Sequence, residues 1–391
     1  MGQLASKYHG CPTGTDGFRV RGVAANPQQA SARLQTPISD SLAMSFIRPI
    51  RLGLLRAAEH SGLNGAVLSS GWRARRLLII CWHQVSLDDE HVWSPSLCVS
   101  PHTFRSRLEL LRSTRCNVMP LDEALEGVRS GRLPERAVAL TLDDGESSVY
   151  LRAWPMLREF GYPATLYWTT YYSIRPYAVF DPMLSYLLWK GRGRHLHLQD
   201  PPLNVRLESE RDRFGVFRSI YHAAKTGGWT AAAKEDFLVR LGGQLGVDYG
   251  DIKKKRILHM ISPEEAATMS AEGLDLQLHT HRHRVPRDAS QPANELQDNV
   301  RIIEGAGARR PAHFCYPSGS YTPDLEFWLR DNGVVSAATC EPGLVQRRTN
   351  PYFLPRMLDQ ESLGPVEFKA WLSGLFTWMT KRSVVSEHGF Q

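Results

Sequence analysis

Between residues 77 and 340 the chain alternates short runs rich in apolar residues with longer stretches in which apolar side chains return every third or fourth position. The runs are Leu77 to Trp82, Val138 to Leu142, Ala164 to Trp168, Leu274 to Leu278, Ala312 to Tyr316 and Val334 to Thr339. Leu77 to Trp82 is continuous, the pattern of a strand buried on both faces, and the others read as further strands of the same sheet. Helical spacing falls between them: Phe104, Leu108 and Leu111 behind the cap Ser100-Pro101, the stretch Leu121 to Val128, then Trp154, Leu157 and Phe160, and Leu296 to Ile303. Ser262-Pro263-Glu264-Glu265 reads as a capping box with proline at the first helical position, opening a helix that stops near Gly273. Further helices are expected over Thr322 to Asp331 and Trp371 to Met379. Strands alternating with helices predict an α/β fold with a parallel sheet, wound open or closed into a barrel.

Residues 173 to about 258 interrupt this rhythm with proline, glycine, clustered charge and short helical stretches at Asp181 to Trp189 and Lys234 to Leu241. They read as a helical subdomain inserted in a βα loop over the barrel mouth, where such folds tolerate additions. Residues 1–43 hold few large apolar side chains and read as a disordered leader, with Met44 as an alternative start. Residues 44–76 mix Ile47, Leu54, Leu55 and Leu63 with Arg48, Arg51, Arg56 and Arg73. That mixture suits a basic amphipathic segment on an anionic membrane face, or a helix packed on the domain. The core spans residues 77–360, followed by a C-terminal helix and tail over 361–391.

The formal charge is +7, from 47 Lys and Arg against 40 Asp and Glu, which favours anionic partners such as acidic glycans or a phospholipid surface. Nucleic acid is not expected, because the basic residues are spread widely and match no RNP or zinc-finger pattern. Six scattered cysteines without a Cys-x-x-Cys pair suggest a reducing compartment. Neither a signal-peptide core nor an apolar run of about 18 residues is present. The location expected is cytoplasmic, peripheral at the inner membrane face.

Two short strings carry candidate chemistry. Thr141-Leu142-Asp143-Asp144-Gly145 closes one predicted strand with paired carboxylates, and His279-Thr280-His281-Arg282-His283 closes another with two histidines four residues apart. An Asp-Asp-Gly alone is more often a surface turn, and either histidine alone would be unremarked. At the ends of buried strands in an α/β pattern they stand where such folds gather their chemistry. Two imidazoles and one carboxylate suit a divalent metal of the zinc type and leave a coordination position open, while the second carboxylate is free to act as a base. The His-Glu-x-x-His pattern of zinc proteases is not met, since threonine follows His279.

Here the chain resembles the NodB-type polysaccharide deacetylases of carbohydrate esterase family 4. Their T-F-D-D-G motif is matched by Thr141 to Gly145 with Leu142 in place of Phe, and their H-S/T-x-x-H motif by His279 to His283. Cys315-Tyr316-Pro317-Ser318-Gly319 stands for R-x-P-Y and its following glycine, and Ile80-Cys81-Trp82-His83-Gln84-Val85 resembles the Y-H-x-V segment of the first strand. The resemblance implies a distorted (β/α) barrel with fewer than eight strands, carrying a helical insertion, and a divalent metal, usually zinc, on Asp144, His279 and His283. It implies Asp143 as general base and the backbone N–H of Ser318 as an oxyanion donor, with Tyr316 and His83 on the substrate side. Tyr321, Trp168, Tyr171 and Tyr172 are further candidates for sugar stacking, and His281 is expected to point away from the metal.

Two positions depart from the family pattern. Cys315 replaces an arginine that pairs with the base, and Arg356 in Leu354-Pro355-Arg356 replaces a general-acid histidine. The charge setting the acidity of Asp143 must then come from elsewhere. Because arginine stays charged, the acid is His83, His281, protonated Asp143, or no group at all, which would make the enzyme slow. The activity implied is removal of N-acetyl groups from an amino sugar of a polysaccharide or its lipid-linked precursor. Two rivals remain at this point: a hydrolase of other C–N bonds such as cyclic imides or ureides, whose insertion would seal the pocket, and a catalytically silent glycan-binding module.

Overall fold

A computed structural model describes residues 38–175, 177–285 and 293–380, with side chains described within 49–377 of that span. The chain divides into two units, residues 1–50 and 51–391. Of the first, the described part is the start of the helix Ile38–His60, which begins before Met44; the remainder of the expected leader lies outside the described residues.

The second unit is built on parallel strands. In chain order these are β1 (Leu78–Trp82), β2 (Gln84–Val85), β3 (Cys98–Val99), β4 (Asn117–Val118), β5 (Ala137–Asp144), β6 (Thr165–Trp168), an antiparallel hairpin β7 (His195–Leu198) and β8 (Leu203–Arg206), then β9 (Asp275–Leu278), β10 (His313–Cys315), β11 (Ser336–Ala338) and β12 (Met357–Leu358). The main sheet runs β11-β10-β9-β6-β5-β1-β12, with β4 beside β5. Its two edges meet through one segment: Leu354 exchanges backbone hydrogen bonds with β11 (Leu354 N to Ala337 O, Thr339 N to Leu354 O), and Met357 and Leu358 pair with Ile80 and Cys81 of β1. The result is the distorted (β/α) barrel that the family resemblance implies.

Because successive residues of a strand face opposite sides, each run sorts itself into two layers. Leu78, Ile80 and Trp82, Val138, Leu140 and Leu142, Leu166 and Trp168, Leu276 and Leu278, Phe314 and Ala337 face outward into a helix-covered core. The other positions face inward and are smaller or polar: Ala137, Ala139, Thr141 and Asp143 of β5, with Cys81, Cys315 and Ala338. A closed barrel of few strands has little interior room. Small side chains along β5 leave space for the two large inward groups, Tyr167 and Arg356, both fully buried.

The helices fall close to where periodicity places them, over Pro101–Ser113, Leu121–Ser130, Trp154–Phe160, Pro263–Ala271, Asn294–Gly305 and Leu325–Asp331. Ser262 and Glu265 form both halves of the expected capping box. The terminal helix differs, since Gly374, with φ of 86°, splits it into Pro365–Ser373 and Leu375–Thr380. From Arg51 onward the basic segment packs on that terminal helix, through Arg51 with Glu367, Lys369 with Glu59, and buried Leu55. Arg73, fully buried, donates to the carbonyls of Leu372 and Ala137. None of the described helices is long and apolar enough to cross a membrane.

Between β6 and β9 the inserted residues build their own apolar core from the helices Phe180–Lys190, Glu210–Thr226 and Ala231–Leu245 and the hairpin β7–β8, centred on Leu184, Leu187, Ile220 and Leu241. The hairpin was not legible in the periodicity, because each strand is only four residues long. The insertion is fastened to the carboxyl ends of β1 and β5. Tyr186 and Lys190 reach Asp89, Lys255 reaches Asp88, and Ser147 N donates to His259 O.

One buried ion pair locks the outer layer. Arg107 Nε donates to Asp359 Oδ2 at 2.9 Å, and Trp82 Nε1 donates to the same oxygen at 2.9 Å. Arg107→Met strands the Asp359 carboxylate and should cost about 3–5 kcal/mol in urea denaturation. Adding Asp359→Asn should recover much of that loss.

Candidate active site

The first motif is positioned by the pleat of β5 and by the way that strand ends. Asp143 continues the inward register into the barrel, whereas Asp144 takes φ of 70° and Gly145 φ of 88°, so the chain leaves the sheet between the two carboxylates and they diverge. A Cβ at Gly145 would lie 2.5 Å from the Trp168 ring, so only glycine fits beneath that side chain. Thr280, His283 and Ser318 also have positive φ. Non-glycine residues held in that region concentrate where a structure over-determines its backbone, often at functional sites.

Asp144 lies beside both histidines. His279 Nε2 is 3.1 Å and His283 Nε2 is 3.2 Å from Asp144 Oδ1, and the two imidazole centroids are 4.9 Å apart. One ligand atom from each of the three residues falls within 4.8 Å of the others. His279 Nδ1 sits 2.9 Å from the carbonyl oxygen of Cys315. A carbonyl only accepts, so that nitrogen carries the proton and Nε2 offers its lone pair toward Asp144, the tautomer a metal ligand requires. The donor set therefore fits a divalent metal of the zinc class.

Asp143 has a different partner. Arg356 Nη1 and Nη2 donate to its Oδ1 and Oδ2, each at 2.8 Å, in a two-pronged pair inside the barrel. Arg356 is held in turn by the Thr339 carbonyl at 2.9 Å, Thr141 Oγ1 at 3.3 Å and Cys315 Sγ at 3.0 Å. Burial raises the Asp143 carboxyl, yet the Arg356 charge overrides it and keeps the group ionised below the usual carboxylate range. The two departures from the family pattern therefore compensate each other. The arginine missing at 315 is supplied at 356, and Cys315 is the small residue that makes room for it. Asp143, His279 and Cys315 also approach one another closely. The guanidinium on both Asp143 oxygens and on the sulfur leaves that trio unsuited to a cation, and burial pushes the Cys315 thiol up, away from thiolate.

His83 follows β1 with Nε2 3.9 Å from Asp143 Oδ2 and its side chain 15% exposed, at the mouth beside the base candidate. His281 turns away, its Nδ1 2.8 Å from Thr170 Oγ1. Ser318 stands three residues beyond Cys315 in the turn Pro317–Gly319, which is tight enough that a Cβ on Gly319 would meet Cys340 at 2.8 Å. The neighbouring N–H groups of Gly319 and Ser320 bond back to Tyr316 and Pro317. Two expectations fail. Tyr316 is 1% exposed, packed on Phe314, Tyr321 and Phe353 with its hydroxyl donating to Tyr352 O, because its outward register drives it into the helix-covered core. Trp168 is equally buried and donates to Ser173 Oγ. Neither can stack on a sugar.

Sequence reasoning did not single out Asn299, whose Oδ1 accepts from His279 N at 2.9 Å while its Nδ2 donates to Trp168 O at 2.9 Å. A polar residue between Leu296 and Ile303 on an otherwise apolar helix face was the available signal. Glu146, buried two residues beyond Asp144, is pushed well above its ordinary value by burial and by the Asp144 charge, and Gln84 donates to it.

Arg356→Met would leave Asp143 buried without its counter-charge, at a cost of about 3–5 kcal/mol in urea denaturation at neutral pH. The folded carboxyl titrates below its unfolded value of about 4, so the contribution is complete above that pH and disappears as pH falls through the folded value. The stability gap between wild type and variant should therefore narrow in acid.

Residues 226–337 match the family profile described as polysaccharide deacetylase. A stretch of 94 residues, 24% of the chain, is 34% identical to the poly-beta-1,6-N-acetyl-D-glucosamine N-deacetylase of Escherichia coli (strain K12). Another of 67 residues, 17% of the chain, is 33% identical to the enzyme of that name from Staphylococcus aureus (strain MSSA476). The matched stretches span 14% and 23% of those relatives' lengths. The fold is that of the Streptococcus pyogenes deacetylase PplD solved in complex with acetate, with a TM-score of 0.50, 14% identity, and coverage of 76% of this chain and 98% of that one. With the Asp-Asp-Gly strand end, the paired histidines and the parallel barrel in place, the chain is similar to polysaccharide deacetylases over residues 226–337 and shares the fold of one of them.

Proposed function

We propose that this protein removes N-acetyl groups from an amino sugar within a glycan, as a metal-dependent hydrolase. The observation that carries the reading is the meeting of Asp144, His279 and His283 beside a carboxylate that is ionised and aimed by Arg356. A divalent metal on those three residues, zinc being the usual choice for such a donor set, supplies a Lewis acid that acidifies water and polarises the acetyl carbonyl.

The chain's own groups account for the remainder. Asp143 accepts the proton of the attacking water. The two-pronged hold of Arg356 leaves the carboxylate no rotational freedom, so its position is settled before substrate arrives. The Ser318 N–H, in a turn whose neighbouring amides bond inward, donates to the oxygen that gains charge as the carbonyl becomes tetrahedral. Departure of the amine needs a proton, and His83, at the mouth and 3.9 Å from Asp143, delivers it. Products are acetate and a free amino sugar. An ionised, oriented Asp143 supports turnover over binding alone, because holding a metal and a glycan calls for no base.

Acetate release from β-1,6-linked N-acetylglucosamine oligomers, followed with zinc present, tests this directly. Asp143→Asn should lower turnover by about 100- to 10,000-fold while metal content by elemental analysis is unchanged. Unaltered turnover would remove Asp143 from the base role. Asp144→Ala and His279→Ala should lose the metal itself, and full occupancy in either would overturn the ligand assignment.

A further inference from the structure

Between the insertion and the segment that follows β9 lies a cavity of about 510 Å³, adjoined by a second of about 310 Å³. Lys234, Arg284, Phe180 and Tyr221 line both. The larger one is next to the candidate active site along the chain, though none of Asp143, Asp144, His279 and His283 lines it: Arg282 and Arg284 of its wall flank His283, and Tyr171, also on its wall, donates its N–H to His281 O at 2.7 Å. Its volume is that of a site for a small ligand or a sugar or two, not of a surface dent.

The lining combines cations with flat aromatic faces. Arg175 and Arg282 lie against the Tyr171 ring at 5.0 and 5.2 Å from its centroid, and Lys234 lies 5.3 Å from that of Phe180. Their charges are not equally available. Arg282 is committed to Glu295 at 3.0 Å, and the acidic Glu235 is taken by Tyr249 and Lys253, each at 2.9 Å. Lys225, Lys234 and Arg284 have no carboxylate at ion-pair distance among the described residues. Asp181 is the remaining acid in the lining; burial pushes its carboxyl up, and the charges of Lys234 and Arg284 pull the other way. Arg175, Lys225, Lys234, Arg282 and Arg284 outnumber the two carboxylates in the linings, and an excess of cations in one cleft favours an anion.

We propose that this cleft holds an anionic substituent of the acetylated glycan, with the aromatic rings taking the attached sugar, so that the preferred substrate is an acidic glycan or glycolipid and not a neutral polymer. The assignment rests on the deacetylase reading for the identity of the sugar, but not for the anion. Carboxylate and phosphate share the recognising chemistry, and the probes separate them.

Binding would be followed by tryptophan fluorescence, to which Trp229 in the lining contributes, and by calorimetry, on the full chain carrying Asp143→Asn to prevent turnover. Three probes suffice: a neutral N-acetylglucosamine oligomer, an oligosaccharide of equal length alternating N-acetylglucosamine with glucuronate, and N-acetylglucosamine joined to a short prenyl chain through diphosphate. One of the two charged probes should bind at least about tenfold more tightly than the neutral one, and the advantage should shrink as salt rises toward about 1 M. Lys234→Ala with Arg284→Ala should abolish it, and Lys225→Glu, on the wall of the adjoining cavity, should weaken it without altering thermal stability. Equal affinity for all three probes, or a double variant that keeps the preference, would overturn the proposal. Charged probes that bind selectively in an enzyme releasing no acetate from any substrate would instead sink the deacetylase reading and leave the cleft assignment standing. Acetate released equally from neutral and charged probes would do the reverse.

Discussion

A guanidinium and a carboxylate facing each other inside a narrow barrel constrain almost everything around them. Desolvating either alone would cost several kcal/mol, so each is tolerable only because the other is there and because the remaining guanidinium protons find the Thr339 carbonyl, Thr141 and Cys315. That requirement explains the small inward residues of β5, the thiol at 315 and the ring of Tyr167, 5.6 Å from the Arg356 carbon. It also divides labour between adjacent aspartates. Asp143 is fixed by a permanent cation inside the barrel, and the strand break at Asp144 sends the second carboxylate toward the histidines.

Much of the architecture was legible because the strands announce themselves. Buried on both faces, they read as short runs rich in apolar residues, continuous in Leu77 to Trp82, and the helices between them carry caps such as Ser262-Pro263 that fix their starts. The segments that escaped were two to four residues long, β2, β3, β4, β12 and the β7–β8 hairpin, too short for any period to register. The metal-ligand candidates were legible for a different reason. Their chemistry is encoded by residue type at strand ends, and the barrel places strand ends together.

What the linear pattern could not convey was compensation across space. Cys315 and Arg356 each read as a departure when taken singly, and their relation appears only when β10 and the segment before β12 are seen to face one interior. Tyr316 and Trp168 were misplaced by the same limitation in miniature. A strand-end aromatic looks available until its register is known, and in both cases the pleat sends it outward beneath a helix.

The stretch Leu354 to Leu358 has two duties, joining the rims of the barrel and delivering Arg356 to Asp143 across 213 positions of chain. A polypeptide growing from its amino end would possess both motif strings long before it possessed the counter-ion for one of them. Competence is thereby tied to completion: the last piece that shuts the cylinder is also the piece that arms it, so a partly assembled molecule has no finished centre to misuse.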